Sequence, residues 1–223
     1  MDFGRTKEEP GLRVLVVTSV AVERDAVLRG LHDNSRFDVL IGGVGTAAAA
    51  ASTARTLATA EYGLVVCVGI GGGFAGKADV GSLVVASEII AADLGAETQE
   101  GFSSLDELGF GSARVPVDSY LAARVTEAFK AAGLPANMGP VLTVSTVTGS
   151  AATAAQLAAR VPGAAAEAME GYGVATAAQG HGMPVLEIRA ISNAVGPRNR
   201  AAWRIGEALQ VLEAASSVLL EVL

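Results

Sequence analysis

The chain has 223 residues, of which 51% are hydrophobic, 17% charged and 4% aromatic, with a formal net charge of −7. That length and apolar share suit one large α/β unit with a sizeable core, while the acidic balance and scarce aromatics argue against a nucleic-acid partner. With one cysteine, Cys67, and two histidines, the chain has no intrachain disulfide and too few ligands for a Cys/His zinc site.

Residues 1–11, "MDFGRTKEEPG", are polar and read as a disordered lead-in, leaving 12–223 as a single domain. They lack the charged-then-apolar layout of a signal peptide. No apolar run reaches the roughly 20 residues of a membrane span without Gly, Ser or a charge. A cytoplasmic protein with no membrane partner is expected.

"RVLVVTS" (13–19) is a β-branched apolar run and predicts a buried strand. A helix follows from Glu23 to about Leu31, then a second strand over "FDVLIGG" (37–43). "GTAAAAASTARTLAT" (45–59) predicts an Ala-rich helix with Thr46 as N-cap. "LVVCVGI" (64–70) is a third strand, expected to stop at "GGGFAG", and "GSLVVASEIIA" (81–91) a fourth. Residues 94–114 show no regular period and read as a mobile connection that could cover a site, a point the sequence leaves open. "SYLAARVTEAFKAAG" (119–133) is an amphipathic helix with Gly133 just past its end. "NMGPVLTVST" (137–146) predicts a strand, and "SAATAAQLAARVPG" (150–163) a helix capped by Ser150. "AAAEAME" (164–170) reads as a short strand leading into the helix "GYGVATAAQG". "MPVLEIRAIS" (183–192) is the last buried strand, and a long helix from about Asn199 closes the chain.

Strands thus alternate with helices, and the strands are continuously apolar. That pattern predicts an α/β fold with a mainly parallel or mixed central sheet covered on both faces. Ligands in such sheets bind at the carboxyl ends of strands, where "GVG", "GIGGG", "AMEG" and "ISN" all fall.

Arg189 interrupts the apolar strand "EIRAIS". Unpaired in a sheet interior it would cost several kcal/mol, so a carboxylate partner is expected. Glu23 and Glu170, both after strands, are the candidates, and a buried structural pair is as good a reading as a site. Locally, each glutamate also reads as a first-turn carboxylate favouring a helix dipole. Gly171 and Gly173 are poor helix residues, at about 1 kcal/mol each against Ala, and point to close backbone approach. "GVGTAA" lacks the full G-x-G-x-x-G spacing, and no P-loop pattern occurs. "GIGGG" would let a ligand rest on bare backbone through Gly71 and Gly72. Asn193 presents an acceptor and two donors in one plane, suited to the O6/N7 edge of a 6-oxopurine, although an Asn at a strand-to-loop turn is locally commoner. Ser192 stands beside it. His32 and His181 read as structural or exposed. Trp203 is expected to pack the last helix, and Arg198 and Arg200 to be solvated unless they meet a ligand carboxylate. Ser145 and Ser150 have no companion His/Asp pattern, so a hydrolase triad has no support.

Taken in order, "VTSVAVERDAV", "IGGVGTAAAA", "VVCVGIGGGF", "VGSLVVASEII", "TVTGS", "AAEAMEGYGVA" and "EIRAISNAVG" resemble the purine nucleoside phosphorylase and nucleosidase superfamily over nearly the whole chain. "AMEG" and "RAISN" are the most specific elements, and "RAISNAVGPRNRAAW" resembles the futalosine hydrolase branch. The resemblance implies a phosphorylase/hydrolase-like fold, a homo-oligomer, and no metal or organic cofactor. It implies that Met169 packs under a ribose and Glu170 binds its hydroxyls. Glu23 would position and deprotonate the attacking water, with Arg189 in the same network. Gly71 and Gly72 would wall the base and sugar, and Thr153 and Ser192 would join the substrate-binding set.

Two departures carry information. Adenine-specific nucleosidases of the superfamily have Asp where this chain has Asn193. An amide cannot supply a proton but can accept from a protonated N7 and donate to O6, which suits hypoxanthine. The phosphorylases hold phosphate with an arginine where Cys67 stands in "VVCVGI", so water is the expected nucleophile. The implied reaction is hydrolysis of futalosine to hypoxanthine and dehypoxanthine futalosine, in a route to menaquinone. The alternatives are another purine nucleosidase, a phosphate-dependent phosphorylase acting on inosine or methylthioadenosine-type substrates, or a non-catalytic nucleoside-binding module.

Overall fold

A computed structural model describes residues 13–223. The expected disordered lead over 1–11 lies outside the described residues. Ten strands and six α-helices follow in chain order: β1 (Val14–Thr18), α1 (Ala21–Leu31), β2 (Phe37–Ile41), α2 (Thr46–Leu57), β3 (Leu64–Gly73), β4 (Leu83–Ala91), β5 (Gly95–Thr98), β6 (Gly101–Ser104), β7 (Arg114–Pro116), α3 (Ser119–Ala131), β8 (Ala136–Thr143), α4 (Ala151–Arg160), β9 (Ala166–Ala168), α5 (Gly171–Gly180), β10 (Val185–Ala194) and α6 (Ile205–Val222).

β3 is the pivot of a mixed sheet. It pairs in parallel with β1 on one edge and with β10 on the other, and β1 continues to β2. β10 pairs antiparallel with β4, β4 parallel with β8, and β8 parallel with β9. β9 then returns antiparallel to Gly72 and Gly73 at the end of β3, so these strands close into a small barrel. The apolar runs pack both faces of these strands, one toward the barrel interior and one toward the helices around it: Val65, Val66, Val84, Val85, Leu186 and Ile188 are all fully buried. Each such side chain contributes about 1.5–3 kcal/mol relative to an exposed one.

Closure explains the first departure from expectation. β3 does not stop at Ile70 but continues through Gly71–Gly73, because both β10 and β9 pair with those glycines. The second concerns residues 94–114, which form the antiparallel β5–β6 hairpin and, through Arg114, open β7 on the edge of β4. At the start of α2 the N-cap is Gly45, not Thr46. The Thr46 hydroxyl instead donates to the carbonyl of Met169. That contact ties α2 to the start of α5, where a Cβ on Gly173 would lie 2.1 Å from the Thr46 carbonyl oxygen. Gly173 is thus a close-approach glycine, as its poor helix propensity suggested. Ser150 does cap α4, accepting from the N–H of Thr153. No described helix is long and apolar enough to cross a membrane.

Candidate active site

β10 carries Glu187 and Arg189 on one face, because side chains two apart in a strand share a face. Opposite them in β3 stand Cys67 and Gly69. Arg189 is completely buried. Its Nε donates to Glu187 Oε1 at 2.8 Å, its Nη2 to Cys67 Sγ at 3.2 Å, and its Nη1 to Glu170 Oε2 at 3.5 Å. The expected carboxylate partner therefore exists, but the tighter one is Glu187, on the same strand. Burial disfavours the Arg189 charge, yet Cys67 and the carboxylates of Glu187, Glu170 and Glu23 outweigh it and hold the guanidinium protonated. Burial pushes the Cys67 thiol and the Glu187 carboxyl up from their ordinary values.

The carboxylate of Glu23, in the first turn of α1, is bound by three backbone donors. Oε2 accepts from Ser19 N at 2.9 Å and Val20 N at 3.3 Å, and Oε1 from Ile70 N at 2.9 Å. The local helix-start reading is thus correct but incomplete, since the Ile70 bond ties the same carboxylate to the end of β3. A carboxylate offers about four acceptor sites, so roughly one remains. Glycine at 69 is required here: a Cβ would lie 2.7 Å from Glu23 Oε1 and 2.8 Å from Arg189 Nη1. Glu170 caps α5 with its side chain turned back, accepting from Gly45 N at 3.2 Å and Met169 N at 3.3 Å.

Glu23, Ile70, Gly71, Gly72, Met169, Glu170, Ser192 and Asn193 meet in one cleft of about 250 Å³ at the carboxyl ends of the strands, closed by Val44, Val147 and Trp203. A β-bulge shapes its floor. Ile191 pairs with Gly71 and Asn193 with Gly72, leaving Ser192 as the extra residue, and such an insertion re-aims the side chains that follow. The Ser192 hydroxyl lies 2.8 Å from Asn193 Oδ1 and 3.2 Å from the Gly71 carbonyl. Asn193 Nδ2 donates to the Ala194 carbonyl at 3.0 Å, leaving one N–H and one lone pair of the amide free.

The structure places several of the singled-out residues away from this cleft. Thr153 is not in this cleft: its hydroxyl lies 2.9 Å from that of Ser150 at the start of α4, and it lines a separate cavity with Asp93 and Arg160. No residue from 94–114 lines this cleft; residues from that stretch line a separate cavity beside Arg160 instead. Cys67 lies behind it in the core, so an arginine there would not face it. Arg189 likewise does not line the cleft; its hydrogen bond toward it is the one to Glu170. Conversely, Trp203 lines the cleft instead of merely packing the last helix, with the Arg198 and Arg200 guanidinium carbons 5.4 and 5.8 Å from its ring centre. Glu167 is a residue that local sequence pattern does not single out. It also lines the cleft, and both of its oxygens accept from Thr148, from the backbone N–H at 2.9 Å and from the hydroxyl. Burial pushes its carboxyl up. A carboxylate inside the Ala-rich run "AAAEAME" was the available signal.

Among the described residues, the cleft lining has three carboxylates and no lysine or arginine. No group of three or more His, Cys, Asp or Glu in the described residues is arranged to hold a metal ion.

Residues 15–223 match the phosphorylase superfamily. The futalosine hydrolase of Streptomyces coelicolor is 54% identical, covering 95% of this chain and 97% of its own length. That of Acidothermus cellulolyticus is 45% identical, over 92% and 89%. Among solved structures, futalosine hydrolase of Helicobacter pylori superposes with a TM-score of 0.83 at 15% identity, covering 95% of this chain and 98% of that one. A 5′-methylthioadenosine/S-adenosylhomocysteine nucleosidase from Neisseria meningitidis gives 0.81 at 18%, over 94% and 99%. By the match along its sequence and by its fold, the chain belongs to the phosphorylase superfamily.

Proposed function

We propose that the protein hydrolyses the N-glycosidic bond of futalosine, releasing hypoxanthine and dehypoxanthine futalosine. The similarity to futalosine hydrolases supports the substrate. The observation that carries the chemistry is the Glu23 carboxylate, fixed by three backbone N–H groups at the edge of a cleft without a cationic side chain among the described residues. Such a lining repels a phosphate dianion and leaves a carboxylate free to take a proton from water.

In this reading Met169 packs under the ribose and Glu170 accepts from its hydroxyls. Glu23 aims water at C1′ as positive charge develops on the sugar. Arg189 holds Glu170 from behind. Gly71 and Gly72 present bare backbone to the base and sugar, and Ser192 orients Asn193. Asn193 uses its free lone pair and N–H for N7–H and O6 of the departing base, a preorganised electrostatic contribution. The reaction needs no metal or organic cofactor. We place it in the futalosine route to menaquinone, in a cytoplasmic homo-oligomer whose domain spans 12–223.

The test is a phosphate-free assay with futalosine, inosine and methylthioadenosine, reading the released base by chromatography. Hypoxanthine from futalosine is the expected product. Release that begins only when phosphate is added would replace this reading with a phosphorylase.

Asn193→Asp tests the base assignment. An ionised Asp offers no donor to O6, and one good bidentate pair is worth about 1–3 kcal/mol of discrimination, or roughly 5- to 150-fold. Hypoxanthine release from futalosine should fall by that factor relative to adenine release from methylthioadenosine in mixed-substrate assays. An unchanged ratio would remove Asn193 from base recognition.

A further inference from the structure

We propose that Glu187, which does not line the cleft, is a positioning residue for the reaction: it fixes the Arg189 guanidinium and keeps its charge from capturing Glu170. This rests on the reading of the cleft as a nucleoside hydrolase site, because Glu170 is there the ribose-binding carboxylate.

The geometry is asymmetric. Arg189 grips Glu187 through Nε at 2.8 Å, near the root of the guanidinium, whereas its reach to Glu170 is 3.5 Å. The tighter bond sets the plane of the group and leaves Glu170 loosely held. A loosely held carboxylate keeps lone pairs for a ligand, and a tightly paired one does not.

Packing alone does not account for Glu187. It is completely buried, and its Oε2 has no hydrogen-bond partner among the described residues. A buried polar atom left unpaired is costly and calls for an explanation. The fold also makes room for it, since a Cβ on Gly171 would lie 2.1 Å from Oε2. An aliphatic residue at 187 with alanine at 171 would fill the same space without a buried charge.

The groups facing Arg189 come from each packed element: Glu187 beside it on β10, the uncharged Cys67 thiol on β3, Glu23 on α1, and Glu170 at the start of α5. One guanidinium therefore faces three carboxylates. Glu187 absorbs the largest share at short range. If it is made neutral, the full positive field falls on Glu170 and Glu23. Glu170 is then drawn into a closed ion pair, and both carboxylates become stronger acids.

The test is Glu187→Gln, which keeps size and one acceptor oxygen. With futalosine, KM should rise about tenfold, the worth of one charge-assisted hydrogen bond. The acid limb of kcat/KM should move down by about one pH unit. Trp203, the sole tryptophan, lines the cleft, so its fluorescence reads ligand binding by the same variants across pH. Glu187→Asp keeps the charge but withdraws it by one methylene. Its acid limb should stay in place while KM rises, which covers the case of a Gln variant that does not fold. An unmoved acid limb in Glu187→Gln, or a wild-type KM in Glu187→Asp, overturns the proposal. A wild-type protein that neither cleaves nor binds futalosine overturns the functional reading first, and this inference with it.

Discussion

Glu23→Gln should lower kcat for futalosine by about 10²–10⁴-fold, the usual contribution of a positioned general base, and change KM by no more than a few-fold. The direction follows from how the carboxylate is held. Oε2 faces the N–H groups of Ser19 and Val20, and Oε1 faces that of Ile70. An amide cannot satisfy both sides, because its NH2 would meet a backbone donor whichever way it turns. The variant therefore loses its basic oxygen and is also pushed from its seat. Ground-state binding of base and ribose runs through Asn193, Met169 and Glu170 in this reading, so KM is spared. An effect confined to kcat marks an interaction made in the transition state. Steady-state kinetics with a single-turnover measurement of base release checks this. A kcat near wild type would show that another group activates the water.

Much of this arrangement was legible in the sequence. The β-branched runs gave the strands, and the glycine and "ISN" ends of those strands gave the cleft. Arg189 inside an apolar strand announced a buried partner. What the local pattern could not show was tertiary. The strand-end glutamates are the obvious candidates for its partner, whereas the strand period of two places Glu187 on the face of Arg189. Glu167 hid in an alanine-rich run in the same way. Thr153 is part of the Ser150 cap and faces the cavity beside Asp93 and Arg160, a matter of helix phase that motif order does not encode. Trp203 reaches the cleft because Arg198 N bonds to the Gly149 carbonyl and Arg204 N to the Ser192 carbonyl. Those long-range bonds fold the stretch before α6 back over the strand ends. The two helix glycines of "GYG" were the reverse case: their poor propensity was visible, and only the structure showed that Gly171 yields to Glu187 and Gly173 to Thr46.

Arg189→Met should destabilise the fold by about 3–5 kcal/mol at neutral pH, the usual result of leaving a buried charge without its partner. Glu187 is the stranded group, since it has no exposure and one oxygen already lacks a partner among the described residues. The deficit should depend on pH in a defined sense. Burial already pushes the Glu187 carboxyl up in the folded protein, and losing the guanidinium raises it further. A carboxyl raised above its unfolded value of about 4.3 leaves stability intact below that pH and removes it as pH rises towards the folded value. The difference in unfolding free energy between variant and wild type should therefore be smallest near pH 4 and larger at pH 7, read from denaturant titrations at both. Replacing both partners, as Glu187→Leu with Arg189→Met, removes the stranded charge and should recover most of the lost stability, because apolar replacement of a buried ion pair is often neutral or favourable. It should not recover turnover, since Glu170 then has no guanidinium behind it. A double variant with wild-type kcat/KM would make the pair purely structural, and a single variant as stable as the wild type would mean that Glu187 does not depend on Arg189 for its charge.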